Sequence, residues 1–147
     1  MVEQDPVHPA PANTPNPYTS AARLDIPVLF VSGTNDCMCK AMGEDYPAYA
    51  NATKSRCRVF SNVTGADHCQ WAALTGLEEF ACVLIEKSKG CKPDLTAQQQ
   101  QAIALKYVVP FFDYVAKHNR TAWQLLVSEL DDDKAKGAVT WEHEGCQ

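Results

Sequence analysis

Two short, predominantly apolar runs, each followed by a glycine-containing turn, dominate the hydrophobic pattern of the chain. The first spans residues 26–32 and the second residues 57–62, and β-branched or aromatic side chains fill the centre of both. Apolar runs of this length between turn residues are typical of strands buried in a sheet. We therefore predict two buried strands, with a loop and a short helix between them at residues 37–53.

The rest of the chain shows helical periodicity. Apolar residues recur at three- and four-residue spacing over residues 71–87, which predicts an amphipathic helix. Gly90 and Pro93 end that helix, and Thr96 together with Gln99 forms a capping box for a second, longer helix. The apolar positions of the two helices include Leu74, Leu77, Phe80, Ala81, Leu84, Ile103, Leu105, Val108, Val109, Phe112 and Val115.

Proline and charge mark the remaining organisation. Residues 1–20 are rich in proline and predict a loop, whereas Pro110 predicts a kink in the long helix. A shorter helix is predicted over residues 121–130, and residues 131–147 are polar enough to predict a frayed, flexible tail. The folded part is then residues 21–130. Its order of strand, helix, strand and helices predicts the α/β class, with a short parallel sheet of two or three strands flanked by helices.

Composition narrows the classes of function. With 147 residues, 46% of them hydrophobic, the chain has the size of one domain with a real core. A net charge of -5 argues against nucleic-acid binding, which requires a basic surface. No run approaches the roughly 18 apolar residues that a membrane span requires.

Two features indicate a secreted protein. The chain contains seven cysteines, which is typical of proteins that fold in an oxidising compartment. Three Asn-x-Ser/Thr sequences make Asn51, Asn62 and Asn119 candidate glycosylation sites. Residues 1–17 lack the basic and apolar regions of a signal peptide, so we expect such a signal on an upstream part.

Asp36 and His68 occupy matching positions after the two predicted strands, because Asp36 follows Gly33 and His68 follows Gly65 by three residues. Active residues of parallel sheets lie beyond the carboxyl ends of the strands, so we expect both side chains in a common pocket. His68 is then the candidate general base, and Asp36 is the carboxylate that fixes its tautomer and stabilises its cation. We interpret the neighbouring Asp67 as a loop residue that does not orient the ring.

This arrangement resembles the secreted α/β-hydrolases of the dienelactone hydrolase, cutinase and polyester hydrolase group. The resemblance rests on residues 26–36 and 65–71, which match a Gly-x-x-Asp motif on the seventh strand and a Gly-x-x-His motif after the eighth. It covers roughly residues 5–127. Similar segments are the turn after the sixth strand, at His8-Pro9-Ala10, and the last helix, with Tyr107, Pro110, Phe111, Phe112, Tyr114 and then Ala122-Trp123.

The resemblance implies a partial α/β-hydrolase domain at residues 21–130 that takes part in the hydrolysis of carboxylic esters. Small-molecule or polymer esters are the implied substrates, and no cofactor is implied. Asp36 and His68 correspond to the acid and the base of a serine-hydrolase triad. Trp71 is a candidate for lining the substrate pocket, although a place in the core suits it equally well.

The chain departs from this group because it lacks the nucleophile. Neither Gly-x-Ser-x-Gly nor Gly-x-Cys-x-Gly occurs in the sequence. We therefore expect the chain alone to be inactive, and the activity to belong to a longer parent or to a complementing chain. The alternative is a non-catalytic fragment or pseudoenzyme: a disulfide-stabilised interaction module that forms homo-oligomers or binds another chain through an exposed sheet edge.

The cysteines suggest covalent ties around the candidate site. We expect a Cys37–Cys57 bridge between the two site loops, and a bridge from Cys69 to Cys82 or Cys91; similar pairings occur in the group that the chain resembles. Cys39 and Cys146 are left unassigned. The alternative is a zinc site formed by Cys37, Cys39, His68 and Cys69, but the spacing offers no Cys-x2-Cys pair, so we predict no metal.

Overall fold

The computed structural model describes residues 17–71, 77–92 and 94–146. Three strands form one sheet in the order β1 (Val28–Gly33), β2 (Arg58–Val63) and β3 (Val139–Glu144). β1 and β2 are parallel, whereas β3 pairs antiparallel with β2. The fold is thus mixed α/β with a three-stranded sheet. The prediction of an all-parallel sheet is wrong for β3, which starts beside the carboxyl end of β2, where Val139 faces Val63.

Five α-helices accompany the sheet within the described residues. They are α1 (Pro17–Ala21), α2 (Tyr46–Asn51), α3 (Leu77–Ser88), α4 (Ala97–Lys117) and α5 (Arg120–Ala135). A π-helical turn at Ala41–Asp45 leads into α2, and a 3-10 turn at Cys69–Trp71 follows β2. None of these helices is both long enough and apolar enough to cross a membrane.

A sequence signal placed the start of α4 correctly. Thr96 caps α4 through the expected capping box, in which its side chain accepts from Gln99 N and the Gln99 side chain accepts from Thr96 N. Pro110 lies inside α4 without ending it. The expected loop over residues 1–20 gives way to α1 at Pro17–Ala21, and its first sixteen residues, with His8, lie outside the described residues.

The polar segment over residues 131–147 differs from the expected flexible tail. α5 continues to Ala135, β3 follows, and a disulfide joins Cys146 to Cys57 at the start of β2. The strand forms because Val139 is buried and Trp141 packs against the main core cluster. Two apolar side chains and one covalent bond therefore hold a segment whose composition is mostly polar.

One member of the acidic run is also part of the interior. Asp133 Oδ2 accepts hydrogen bonds from Tyr107 Oη at 2.7 Å and from Lys106 Nζ at 2.8 Å. These two donors lower the pKa of Asp133, although its burial acts in the opposite direction. A buried carboxylate needs such partners, so the run of aspartates extends α5 rather than ending it.

The core lies on both faces of β2, and all six residues of that strand are buried. On one face Val59 and Val63 pack with Tyr107 of α4 and with Leu126 and Leu130 of α5. On the other face Phe60 packs with Tyr49 of α2 and with Ala41. This two-sided burial holds β2 rigidly and fixes where the loop after it begins.

The helix predicted over residues 71–87 exists as α3 from Leu77, but its apolar side faces solvent. Leu77 is 85% exposed, and Phe80, Leu84 and Ile85 are also exposed. The buried side of α3 carries Glu86 instead. α3 therefore contributes little to the core, and its buried side serves the loops described below.

Adjacent leucines of α5 provide a test of this core. Leu126 is fully buried and Leu125 is 52% exposed. We expect Leu126→Ala to lower the free energy of unfolding by about 2–5 kcal/mol, because it leaves a cavity between the sheet and α4. Leu125→Ala is the matched control and is expected to change stability by less than about 0.5 kcal/mol in urea titrations. Equal losses in the two variants would contradict this placement of α5.

Candidate active site

The structure brings together the two residues that the sequence singled out. Asp36 lies in the loop after β1, and His68 lies in the loop after β2. His68 Nδ1 is 3.0 Å from Asp36 Oδ2, which is within hydrogen-bond distance. Because an ionised carboxylate only accepts, Nδ1 is the donor in this contact, and the lone pair of a neutral ring then lies on Nε2.

The backbone of the acid loop orients Asp36. Its Oδ1 accepts from Met38 N at 2.8 Å and from Cys39 N at 2.7 Å, which is a turn closed by an aspartate side chain. Asp36 is only 8% exposed. With Oδ1 held in this way, Oδ2 is directed at the imidazole, so the carboxylate has one orientation rather than several.

Gly33 allows the acid loop to approach the histidine loop. Asn35 N donates to Ala66 O, and Thr34 N donates to Val63 O, both at 2.9 Å. A Cβ at Gly33 would lie 2.3 Å from Ala66 O, which is far inside van der Waals contact. The glycine is therefore required by the contact between the two loops.

The segment after α3 is hydrogen-bonded to both the acid loop and the histidine loop. Asn35 Nδ2 donates to Lys92 O at 2.7 Å and to Asp94 Oδ2 at 3.0 Å. Asp94 N in turn donates to Gly65 O at 3.0 Å. The acid loop and the histidine loop thus share one polar support, which restricts their relative motion.

Two disulfides tie the same loops to α3 and its end. Cys69 of the histidine loop is bonded to Cys82, as one of the two expected pairings, and Cys37 of the acid loop is bonded to Cys91. The expected Cys37–Cys57 bridge is wrong. Cys37 follows the carboxyl end of β1, whereas Cys57 precedes the amino end of the parallel β2, so a whole strand length separates them.

Bridge formation removes two ligands from the zinc alternative, because Cys37 and Cys69 are no longer thiols. Within the described residues no three His, Cys, Asp or Glu side chains are grouped so as to hold a metal ion. Cys39 is the free cysteine, and burial, followed by the negative charges of Glu44 and Asp36, raises its pKa to about 11. Its thiol stays protonated at neutral pH, so it is not an activated nucleophile.

Ser32 lies in β1 close to the acid loop in sequence, and its hydroxyl is already hydrogen-bonded to a carboxylate. Its Oγ donates to Asp45 Oδ2 at 2.6 Å, and Ser32 itself is buried. Burial raises the pKa of Asp45, and the charge of Asp36 acts in the same direction. This pair anchors the π-helical turn to β1 and does not supply a nucleophile to His68.

Sequence reasoning missed the groups that hold the histidine loop. Glu86 Oε1 accepts from His68 N at 2.8 Å and from Cys69 N at 3.2 Å. Gln100 of α4 is fully buried and binds the backbone of Asp67 twice. Gln100 Nε2 donates to Asp67 O, and Gln100 Oε1 accepts from Asp67 N. The signal for Glu86 was its position four residues after Cys82, on the same side of α3.

The remaining residues singled out in the sequence are Trp71 and the three candidate glycosylation sites. Trp71 is partly buried and packs against the main core cluster. Asn51 and Asn119 are exposed, as a glycosylation site requires, and Asn119 also caps α5. Asn62 is buried within β2, so a glycan at this position is incompatible with the sheet.

The chain matches no family model, no curated protein and no solved structure in comparisons with known proteins. Its chemistry therefore has to be argued from the geometry. The side chain of His68 is 36% exposed while that of Asp36 is buried, so the pair presents an accessible imidazole on a fixed, anionic support. Such a pair can take a proton from a group that approaches Nε2 and return it later.

Removal of the Asp36 charge tests the pair. In Asp36→Asn we expect loss of the low-field proton resonance of a His68 Nδ1–H bound to carboxylate, and a loss of about 1–3 kcal/mol in the free energy of unfolding. Asp45→Asn is the control, because its carboxylate binds Ser32 instead of the ring. A resonance that survives in Asp36→Asn, or disappears equally in both variants, would show that the ring has another partner.

Substitution of Gly33 tests the approach of the loops. Gly33→Ala places a methyl group against Ala66 O, so we expect a loss of about 1–3 kcal/mol together with the disappearance of the same His68 resonance. Gly43→Ala serves as the control, since a Cβ there would meet only Lys40 Cβ at 3.6 Å. Urea unfolding and proton NMR provide the two readouts, and a Gly33→Ala protein that keeps both properties would refute the steric argument.

Proposed function

We propose that this chain is the C-terminal part of a secreted serine hydrolase that cleaves carboxylic esters. Asp36 is the charge-relay acid, and His68 is the general base. The observation that carries the proposal is the 3.0 Å contact between His68 Nδ1 and a buried carboxylate whose other oxygen is already bound by two backbone N–H groups.

This geometry suits the activation of a serine hydroxyl. A serine is a weak nucleophile until a base removes its proton, and a neutral imidazole with a free Nε2 is such a base. The Asp36 carboxylate fixes the tautomer that leaves Nε2 free, and it stabilises the imidazolium that forms. The accessible edge of His68 is thus where the hydroxyl would approach.

The nucleophile belongs to a segment outside these residues. The sequence contains no nucleophile turn of the Gly-x-Ser-x-Gly type. Ser32 is buried on Asp45, and Cys39 carries a thiol whose pKa is raised to about 11. A longer form of the protein or a complementing chain therefore supplies the serine and the oxyanion hole, and the resemblance suggests esters with an apolar acyl group or polymer esters as substrates.

The sheet offers a place for that segment. Among the described strands β1 pairs only with β2, so no described strand occupies its other edge. An open edge of a partly buried strand binds a further strand readily. A parallel strand added beside β1 would end at the same edge of the sheet as β1 and β2. The loop that follows it would then lie beside the two site loops, where a nucleophile is needed.

The three disulfides indicate an oxidising environment of the extracellular type. Secretion is part of the proposal, with Asn51 and Asn119 as the exposed glycosylation sites. Both features agree with the secreted hydrolases that the sequence resembles.

The second candidate is an interaction module without catalysis. The exposed apolar side of α3, at Leu77, Phe80 and Leu84, favours it, because monomeric proteins rarely expose several large apolar side chains together. In this case the Asp36–His68 contact is structural, and a partner chain or a second copy covers the helix.

Labelling with a fluorophosphonate probe separates these functions. We expect no labelling of the chain alone, and labelling of an N-terminally extended protein that carries a Gly-x-Ser-x-Gly turn. His68→Asn in the extended protein should slow labelling at least about a thousandfold, because the serine loses its base. The surface residue His118 provides the control, and His118→Asn should label at the normal rate.

Two results would overturn the proposal. Stoichiometric labelling of the chain alone would place the nucleophile within it. Equal labelling of the extended protein with and without His68 would show that the pair is not catalytic. An extended protein that is never labelled, combined with stable self-association of the chain in sedimentation, would favour the interaction module.

A further inference from the structure

Glu86 is a buried acid of α3 that is hydrogen-bonded to the loop carrying His68. Only 2% of it is exposed, and a single carboxyl oxygen accepts both His68 N and Cys69 N. The Cys69–Cys82 disulfide joins the same loop to the same helix one turn earlier. The histidine loop is therefore fixed to α3 at two adjacent points, one covalent and one polar.

A second acid faces Glu86 from the loop. Asp67 is fully buried; its Oδ1 accepts from Gln70 N, whereas its Oδ2 has no protein donor within the described residues. Both acids line the same cavity, and the negative charge of Asp67 raises the pKa of Glu86. Two neighbouring buried carboxyl groups are most stable when one of them carries a proton, and a protonated Glu86 would supply the donor that Asp67 Oδ2 lacks.

The surroundings of Glu86 favour this protonated form. Burial is the largest cause that raises its pKa, and the charge of Asp67 acts in the same direction, while the two backbone N–H groups oppose them. The element packed from the other side, α4, contributes the neutral Gln100. A cavity of about 450 Å³ borders both acids, and its charged lining groups besides them are Lys87 and Lys92.

We propose that Glu86 is the positioning residue of the histidine loop: it holds the backbone of His68 and Cys69, and the proton that it shares with Asp67 makes this hold dependent on pH. The significance for catalysis rests on the proposed function, in which His68 is the base. The hydrogen bonds from His68 N and Cys69 N to Glu86 do not depend on that function.

The direction of the pH effect follows from the protonation states. Below the usual Glu pKa of 4.5 the proton is present, Glu86 donates to Asp67, and the loop is fully held. As the pH rises through the raised pKa of Glu86 in the folded protein, Glu86 becomes anionic and the negative charge of Asp67 repels it. The stability that the shared proton provides is then lost, and the loop that carries His68 loosens.

Amide NMR on the full chain tests the proposal. The amide protons of His68 and Cys69 should show a transition whose midpoint lies above 4.5 when the pH is raised from about 4 to about 8. Glu86→Gln keeps an acceptor for both N–H groups and donates permanently to Asp67, so the transition should be absent. In Asp67→Asn the midpoint should move down, because one cause of the raised pKa is removed.

Unfolding in urea provides the second readout. The midpoint of the wild-type protein should match that of Glu86→Gln near pH 4 and fall below it as the pH rises, whereas Glu86→Ala should be lower at every pH because both N–H groups lose their acceptor. A wild-type amide transition at or below 4.5, the same transition in Glu86→Gln, or a difference in unfolding that does not vary with pH would overturn the proposal.

The design keeps the two proposals distinct. Asp36→Asn removes the ring contact and leaves Glu86 untouched, so the amide transition should persist in it. Failure of the fluorophosphonate experiment together with a persistent transition would refute the hydrolase and retain the role of Glu86. Labelling that depends on His68, without any amide transition, would do the reverse.

Discussion

The parallel pairing of β1 with β2 is the constraint on which the rest of the structure depends. Parallel strands end at the same edge of a sheet, so the loops that follow them leave side by side. β2 is buried on both faces and cannot shift without opening the core. The contact between Asp36 and His68 is therefore set by backbone pairing, and the two side chains only complete it.

α3 converts this backbone arrangement into a rigid site. The helix contributes little to the core, yet Cys82 and Glu86 hold the histidine loop, and Cys91 beyond its end holds the acid loop. Both loops depend on one element, so a movement of α3 would displace the acid and the imidazole together. The outer side of that same helix exposes large apolar side chains to solvent.

Local patterns in the sequence predicted the strands, the cap at Thr96 and the Asp36–His68 pair, because apolar runs, capping boxes and glycine turns act over a few residues. The pairing of the cysteines was partly wrong, although the predicted parallel strands already separate Cys37 from Cys57 by a strand length. β3 could not be found in this way, and the one local signal for Glu86 was its position four residues after Cys82. Both depend on contacts between residues far apart in the sequence, and their composition resembles that of exposed, polar segments.

The bond between Cys57 and Cys146 has a consequence for the integrity of the chain. The turn that joins α5 to β3 contains Lys136 and Gly137, both exposed, whereas the strand beyond it is bound to β2. A protease that cuts this turn would leave the last strand attached by its sulfur bridge and its ladder of hydrogen bonds. The nicked protein would be heavier by one water and would separate into two pieces only after reduction and denaturation.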